Sequence, residues 1–229
     1  MNKSTYVLVA AIAALSVLHV ASFGFCLQDD TYIGLRYSRN FSSGEGFVYN
    51  SGERVEGYTN FLWIVIGTVP FLLEINPIVY IRIIGMLTAI LATIASGKLA
   101  FVVSGKSRFA FVFGSFIFAC IPFAMGEAAM GLETLLFLFF VLYAFSSYIA
   151  EIQDSGRRGG YSGLLLALAY LTRPEGLAVV LLPATVDLLR WLRMKNRKWT
   201  GRQLLERERE RERDGQSLDS LHYHILYLE

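Results

Sequence analysis

Gln28–Trp63 reads QDDTYIGLRYSRNFSSGEGFVYNSGERVEGYTNFLW. Two adjacent carboxylates, Asp29 and Asp30, open it directly after an apolar run from Tyr6 to Leu27. A bilayer-spanning helix needs about 20 apolar residues, so that run is long enough to cross. The two Asp then stand where the helix leaves the membrane. Arg36, Arg39, Glu45, Glu53, Arg54 and Glu56 follow, and the chain turns apolar again from Phe61. Acidic and basic side chains gathered at a membrane surface suit a reaction on a lipid-linked, phosphorylated substrate.

On either side of this stretch the chain is built for lipid. Hydrophobic residues make up 54% of its 229 residues, and they fall in long runs. Beyond Tyr6–Leu27 these are Phe61–Ile75, Ile78–Val103, Phe109–Met125, Leu135–Ala150, Tyr161–Leu171 and Leu177–Leu192. Such a pattern predicts an all-α, polytopic transmembrane helix bundle rather than a soluble domain. Residues 1–192 form the membrane module, with an outer loop over 28–60. Residues 193–229 form a charged, low-complexity tail expected to be disordered or aberrant. The first run carries no small-residue cleavage site after it, so it reads as a retained helix that also serves as the insertion signal.

Within the loop, Thr31–Ser42 predicts an amphipathic helix at the membrane surface. Ile33, Tyr37 and Phe41 fall on one face, with Arg36, Ser38, Arg39 and Asn40 elsewhere. Basic residues orient the rest. Lys98, Lys106 and Arg108 flank one loop, Arg157 and Arg158 another, and Arg190, Arg193, Lys195, Arg197 and Lys198 a third. The positive-inside rule places all three in the cytoplasm. The loop with Asp29 and Asp30, the segment Pro122–Thr134 and the segment Thr172–Gly176 then share the extracytoplasmic side. For this to hold, Phe61–Ile75 must return to the side it left. Its 15 residues reach only about 22 Å as a helix, short of a core of about 30 Å. A re-entrant or partly inserted segment is the expectation.

Chemistry can come from few places. Asp29 and Asp30 suit a general base for a hydroxyl, or a metal ligand, or simply a solvated helix exit. Adjacent helical positions point about 100° apart, so only one of them should face a cavity. Arg54, beside Glu53 and Glu56, could hold a phosphate. Glu133 could serve a site or merely favour the helix that follows it. Arg173 and Glu175 flank Pro174 next to an apolar run, and ionisable groups near membrane depth are functional by default. His19, inside the first run, reads as a hydrogen-bonded packing residue. Cys26 and Cys120 have no metal or redox spacing. The sequence lacks a Gly-rich phosphate loop after a strand, a His/Cys metal cluster and a basic nucleic-acid patch.

Asp29–Ile33, Arg36-Tyr37, Gly44-Glu45-Gly46 and Gly52–Trp63 resemble the first outer loop of membrane-embedded C-type glycosyltransferases, in the arabinofuranosyltransferase-like branch. Gly131-Leu132-Glu133-Thr134 and Leu171–Gly176 resemble two later motifs of that branch, in the same order. The resemblance implies transfer of a sugar from a polyprenyl-phosphate donor to a cell-envelope glycan, lipid or protein acceptor. The reaction would run on the outer face of the plasma (inner) membrane. It implies Asp29 or Asp30 as the catalytic carboxylate, and Arg54, Glu56, Glu133, Arg173 and Glu175 around the substrate. It implies no certain cofactor, though a divalent metal would be compatible, and no nucleic-acid partner. A rival reading is a membrane protein that binds or flips lipid-linked sugars without catalysis. Members of the family continue with more helices, whereas here Glu206–Arg213 alternates Glu and Arg strictly. The expectation is therefore an N-terminal part of a longer enzyme followed by an aberrant tail, a truncated product that would be inactive on its own.

Overall fold

The computed structural model of the chain describes residues 3–24, 27–53, 55, 57–153, 161–193 and 209–210. They belong to two units, Met1–Val180 and Leu181–Glu229. In the first, eight helices follow one another: α1 (Lys3–Ser22), α2 (Asp29–Ser42), α3 (Phe61–Leu72), α4 (Pro77–Val103), α5 (Arg108–Ala119), α6 (Pro122–Ala129), α7 (Thr134–Gln153) and α8 (Tyr161–Thr172). Residues 176–180 are helical as well. In the second unit, residues 181–193 and 209–210 are helical. No strand occurs among the described residues. Arg54, Glu56, Arg157, Arg158 and almost all of the Glu/Arg tail lie outside those described.

Among the described residues, three helices are long and apolar enough to cross a bilayer: Thr5–Ser22 of α1, α4 and α7. A fourth span arises if α5 and α6, bent by 61° at their junction, count as one. The chain is thus an all-helical membrane bundle. α4 is its axis and packs against α1, α3, α5, α6 and α7. Asn76 starts it, its side-chain oxygen accepting from the amides of Ile78 and Val79, with Pro77 in the first turn. Its buried face is mostly small: Gly85, Thr88, Ala89, Ala92, Thr93, Ala95 and Gly97. Lipid tails are as apolar as leucine, so helices in a membrane associate by close packing and hydrogen bonds rather than by hydrophobicity. The contacts follow that logic. A Cβ at Gly85 would run into the carbonyl oxygen of Ala128 on α6. One at Gly97 would strike Ser115 on α5. Ser16 of α1 and Thr93 of α4, both buried, share a 3.1 Å hydrogen bond. Such a bond is worth roughly 0.6 kcal/mol in a membrane protein. His19 Nδ1 donates to the carbonyl of Ala119 at 3.0 Å, tying α1 to α5.

The helices define two ends. Arg82, buried in the second turn of α4, donates to the carbonyl of Gly24 just past α1. The start of α4 therefore lies beside the exit of α1. Leu27, Trp63, Ile81 and Leu136 form one buried cluster at this end. It joins the chain before α2 to the starts of α3, α4 and α7. α3 thus begins and finishes at the same end of the bundle. It runs antiparallel along α2, with Ile64 opposite Ser38 and Gly67 opposite Ser38 and Leu35. Its 12 residues reach roughly 18 Å, short of a hydrocarbon core of about 30 Å. Lys106 and Arg108 lie at the opposite end, between α4 and α5.

Two expectations from sequence are corrected. The first apolar run is not one helix to Leu27. α1 stops at Ser22, where Gly24 takes a left-handed φ of 74°, the conformation that ends helices and suits glycine. Asp29 and Asp30 accordingly do not terminate that helix but open the next one. The run Phe109–Met125 is broken at Ile121 because Pro122 cannot continue α5 and instead starts α6. The face that α2 buries is Thr31, Gly34, Leu35, Tyr37 and Ser38, while Ile33 and Phe41 are exposed. Close approach to α3 needs small groups: Ser38 Oγ donates to the carbonyls of Gly34 and Ile64, at 3.0 and 2.8 Å.

Candidate active site

At the end where α1 exits, four separate stretches of chain line a cleft of about 420 Å³. They are Gln28, Asp30, Ile33 and Gly34; Gly57, Tyr58, Thr59 and Asn60; Glu127, Leu132 and Glu133; and Arg173 with Glu175. Asp30 and Glu175 are exposed, Glu127 is half-buried and Glu133 is buried. Asp29 stands in the same first turn of α2 and is exposed, but it is not among the lining residues. One turn of helix thus aims one carboxylate at the cleft and the other away. The position is electrostatically favourable for both, because an α-helix N-terminus carries partial positive charge.

The floor is a hydrogen-bonded chain of side chains. Arg173 Nε donates to Glu133 Oε1 at 2.7 Å, a charge-assisted pair whose carboxylate is only 9% exposed. Asn60 Nδ2 donates to the other oxygen of Glu133 at 3.0 Å. Arg173 Nη2 donates to Thr134 Oγ1 at 3.0 Å, and Thr134 in turn donates to Glu127 Oε2 at 2.8 Å. The end of α8, the start of α7, the end of α6 and the entry to α3 are joined by this chain. Pro174 matters here. The residue before a proline is pushed out of helical geometry, so α8 ends at Thr172 and Arg173 is free to turn into the cleft.

The turn between α6 and α7 is fastened to α2 and α3 by its own backbone. The carbonyl of Met130 accepts from the amide of Gln28 at 3.2 Å and from Thr31 Oγ1 at 2.8 Å. The carbonyl of Gly131 accepts from Trp63 Nε1 at 3.1 Å, and Trp63 is 4% exposed. Gly131 has φ +82°, and a Cβ there would lie 2.9 Å from Thr31 Cγ2. Asp30, Glu127 and Glu133 are held in register by these three bonds.

Of the residues that the sequence singled out, Asp30, Glu133, Arg173 and Glu175 meet in one cleft, and Asp29 lies beside it. Arg54 and Glu56 fall outside the described residues. Asn60 and Thr134, which lay in the sequence motifs without a role of their own, join the site, and so does Glu127, which no motif contained. Glu127 stands at the end of a short apolar helix, where the absence of any other charge in Pro122–Met130 was the available signal. Among the described residues no three His, Cys, Asp or Glu side chains are placed to hold a metal ion together, and no step below runs through one.

No family model matches the chain, and no solved structure does. In an alignment 174 positions long that covers 68% of the chain, it is 28% identical to the terminal beta-(1->2)-arabinofuranosyltransferase of Mycobacterium tuberculosis (strain ATCC 25618 / H37Rv). The match covers 28% of that protein's length. Over 68% of its length, then, the chain is similar in sequence, at 28% identity, to part of a glycosyltransferase.

Proposed function

We propose that the chain serves transfer of a sugar from a polyprenyl-phosphate-linked donor to a cell-envelope glycan, lipid or protein acceptor. The reaction would run on the extracytoplasmic face of the plasma membrane. The observation that carries this reading is the convergence, in one open cleft at the end of a membrane bundle, of an exposed carboxylate, Asp30, and a guanidinium, Arg173. Kinship to an arabinofuranosyltransferase supports a pentose or hexose as the group transferred.

In this reading an acceptor hydroxyl enters beside Asp30. The carboxylate takes its proton as the hydroxyl oxygen forms a bond to the anomeric carbon of the donor. The bond from that carbon to the phosphate oxygen breaks, and the electron pair leaves with polyprenyl phosphate. A single displacement inverts the anomeric centre. Negative charge grows on the leaving phosphate, and a cation held ready for it lowers the barrier. Arg173 can offer Nη1, since Nε and Nη2 are already engaged by Glu133 and Thr134. Arg54 is the second candidate. Glu133 orients Arg173, Glu56 is a further substrate-binding candidate, and Glu175 at the rim can accept from sugar hydroxyls.

The test is protein-dependent transfer of radiolabelled arabinose from a short-chain prenyl-phosphoryl arabinofuranoside to an arabinan oligosaccharide. Transfer lost in Asp30→Asn supports the reading. Binding of the donor without transfer, unaltered by Asp30→Asn, would favour the rival reading of a binding or flipping protein.

A further inference from the structure

We propose that Tyr37 is a positioning residue whose hydroxyl latches one wall of the cleft in place. This rests on the reading of the cleft as the place where substrate binds. Tyr37 is 2% exposed, on the face of α2 turned to the protein. Its hydroxyl makes two bonds to a neighbouring segment. It accepts from the amide of Gly57 at 3.1 Å and donates to the carbonyl of Val55 at 3.3 Å. Val55 itself is 63% exposed and Gly57 is exposed, so burial does not hold this segment down. One phenol grips the chain on both sides of Glu56 and immediately after Arg54.

The segment gripped is the cleft wall. Gly57, Tyr58, Thr59 and Asn60 all line the cavity. Asn60 is pinned to Glu133 at the far end, and Gly57 is pinned to Tyr37 at the near end. Neutral hydrogen bonds of this kind are each modest, but together they decide whether an exposed wall keeps one shape. The grip also explains the glycine. A Cβ at position 57 would lie 2.6 Å from the Tyr37 oxygen, and 3.7 Å from the ring carbon bearing it. The ring has little room to swing aside, because Tyr58 meets it edge-on at 5.0 Å and Tyr49 lies tilted at 5.6 Å. A wall ordered before substrate arrives costs less to bind against than one ordered by binding. Tyr37 thereby contributes to substrate affinity without touching substrate.

The geometry makes an unusual demand, which the test uses. Protein with Cys26→Ala and Cys120→Ala, held in lipid nanodiscs, carries Thr59→Cys as a reporter for a water-soluble maleimide. Tyr37→Phe keeps the ring and removes the oxygen. It should raise the labelling rate at least about fivefold, the scale of losing even one of the two hydrogen bonds. Gly57→Ala, approaching from the other side, should also raise it. In the double variant the methyl has no oxygen to strike, so Gly57→Ala should add nothing, whereas independent changes would multiply. A rate unchanged by Tyr37→Phe, or a double variant equal to the product of the singles, overturns the latch. A short-chain prenyl-phosphoryl arabinofuranoside should protect Thr59→Cys, and its half-protecting concentration should rise about fivefold with Tyr37→Phe. Faster labelling with unchanged half-protection overturns the positioning role. Absence of protection in protein retaining Tyr37 would sink the proposed function instead, and the labelling comparison would still decide the latch.

Discussion

Asp29 and Asp30 are neighbours in sequence and about 100° apart around α2, and only Asp30 lines the cleft. Their amide variants should therefore part company. Asp30→Asn keeps the shape but cannot take a proton, and loss of a general base typically costs ~100- to 10,000-fold in turnover. Asp29→Asn should keep most of the activity while losing a little helix stability. Initial rates of pentose transfer check both, and an Asp29→Asn variant as dead as Asp30→Asn would refute the assignment. Thr134 makes a second case. Its hydroxyl accepts a hydrogen bond from Arg173 and donates one to Glu127. Thr134→Val replaces the hydroxyl with a methyl and strands both partners. It should lower stability by about 1–3 kcal/mol, seen as an earlier thermal midpoint in detergent. Much of this chemistry was legible in the sequence. Asp30, Glu133, Arg173 and Glu175 stand out because charge is conspicuous against apolar neighbours. Glu127 did not, and Asn60 and Thr134 were seen only as members of motifs, since an ordinary carboxylate, amide and hydroxyl acquire roles only from partners 7 to 73 residues away.

At the scale of elements, the presence of helices followed from apolar runs, but their ends and faces did not. The stripe Ile33, Tyr37, Phe41 is the more hydrophobic one on α2, yet the helix turns Gly34 and Ser38 inward. Backbone approach to α3 at Gly67 outweighs apolar area there. Pro122 breaks the fourth run, Phe109–Met125, which was read as continuous, and the 61° bend there depends on where α6 finds its packing. The α6–α7 turn carries the sharpest prediction at this scale. Gly131→Ala must bear a left-handed φ and a contact with Thr31 Cγ2. The strain alone is roughly 1–2 kcal/mol, and the displaced turn would take Glu133 with it. Transfer should fall more than protein level does. Adding Thr31→Ser removes the offending methyl while keeping the hydroxyl for Met130, and should restore part of the loss. No recovery in that double variant would mean the turn is not held in the way described.

For the molecule as a whole, the two ends of the bundle make a labelling pattern. Asp30, Glu74 and Glu175 should be modified from one side of the membrane and Lys106 from the other, when each is replaced by the sole cysteine. Position 74 is the informative one, because it follows α3. Reaction of 74 together with 106 would mean that α3 crosses, against its 12-residue length and against the meeting of Arg82 with Gly24. Reaction of 30 and 175 only from the cytoplasm would keep the bundle and invert the proposed face of action. Orientation was argued from Lys and Arg counts alone, and the fold adds that Lys106 and Arg108 sit opposite the cleft. One contact inside this bundle bears on how the protein can drift. Where α4 passes α6, Gly85 meets the carbonyl of Ala128, the residue after Glu127. Main chain abuts main chain there, with no side chain as a cushion. A saturation library at position 85 should return glycine alone among functional clones, while the lipid-exposed Ile83 and Leu87 on the same helix accept most apolar replacements. Natural variation can then repaint the outside of the bundle freely and leave Glu127, the carboxylate just before that contact, at a constant depth.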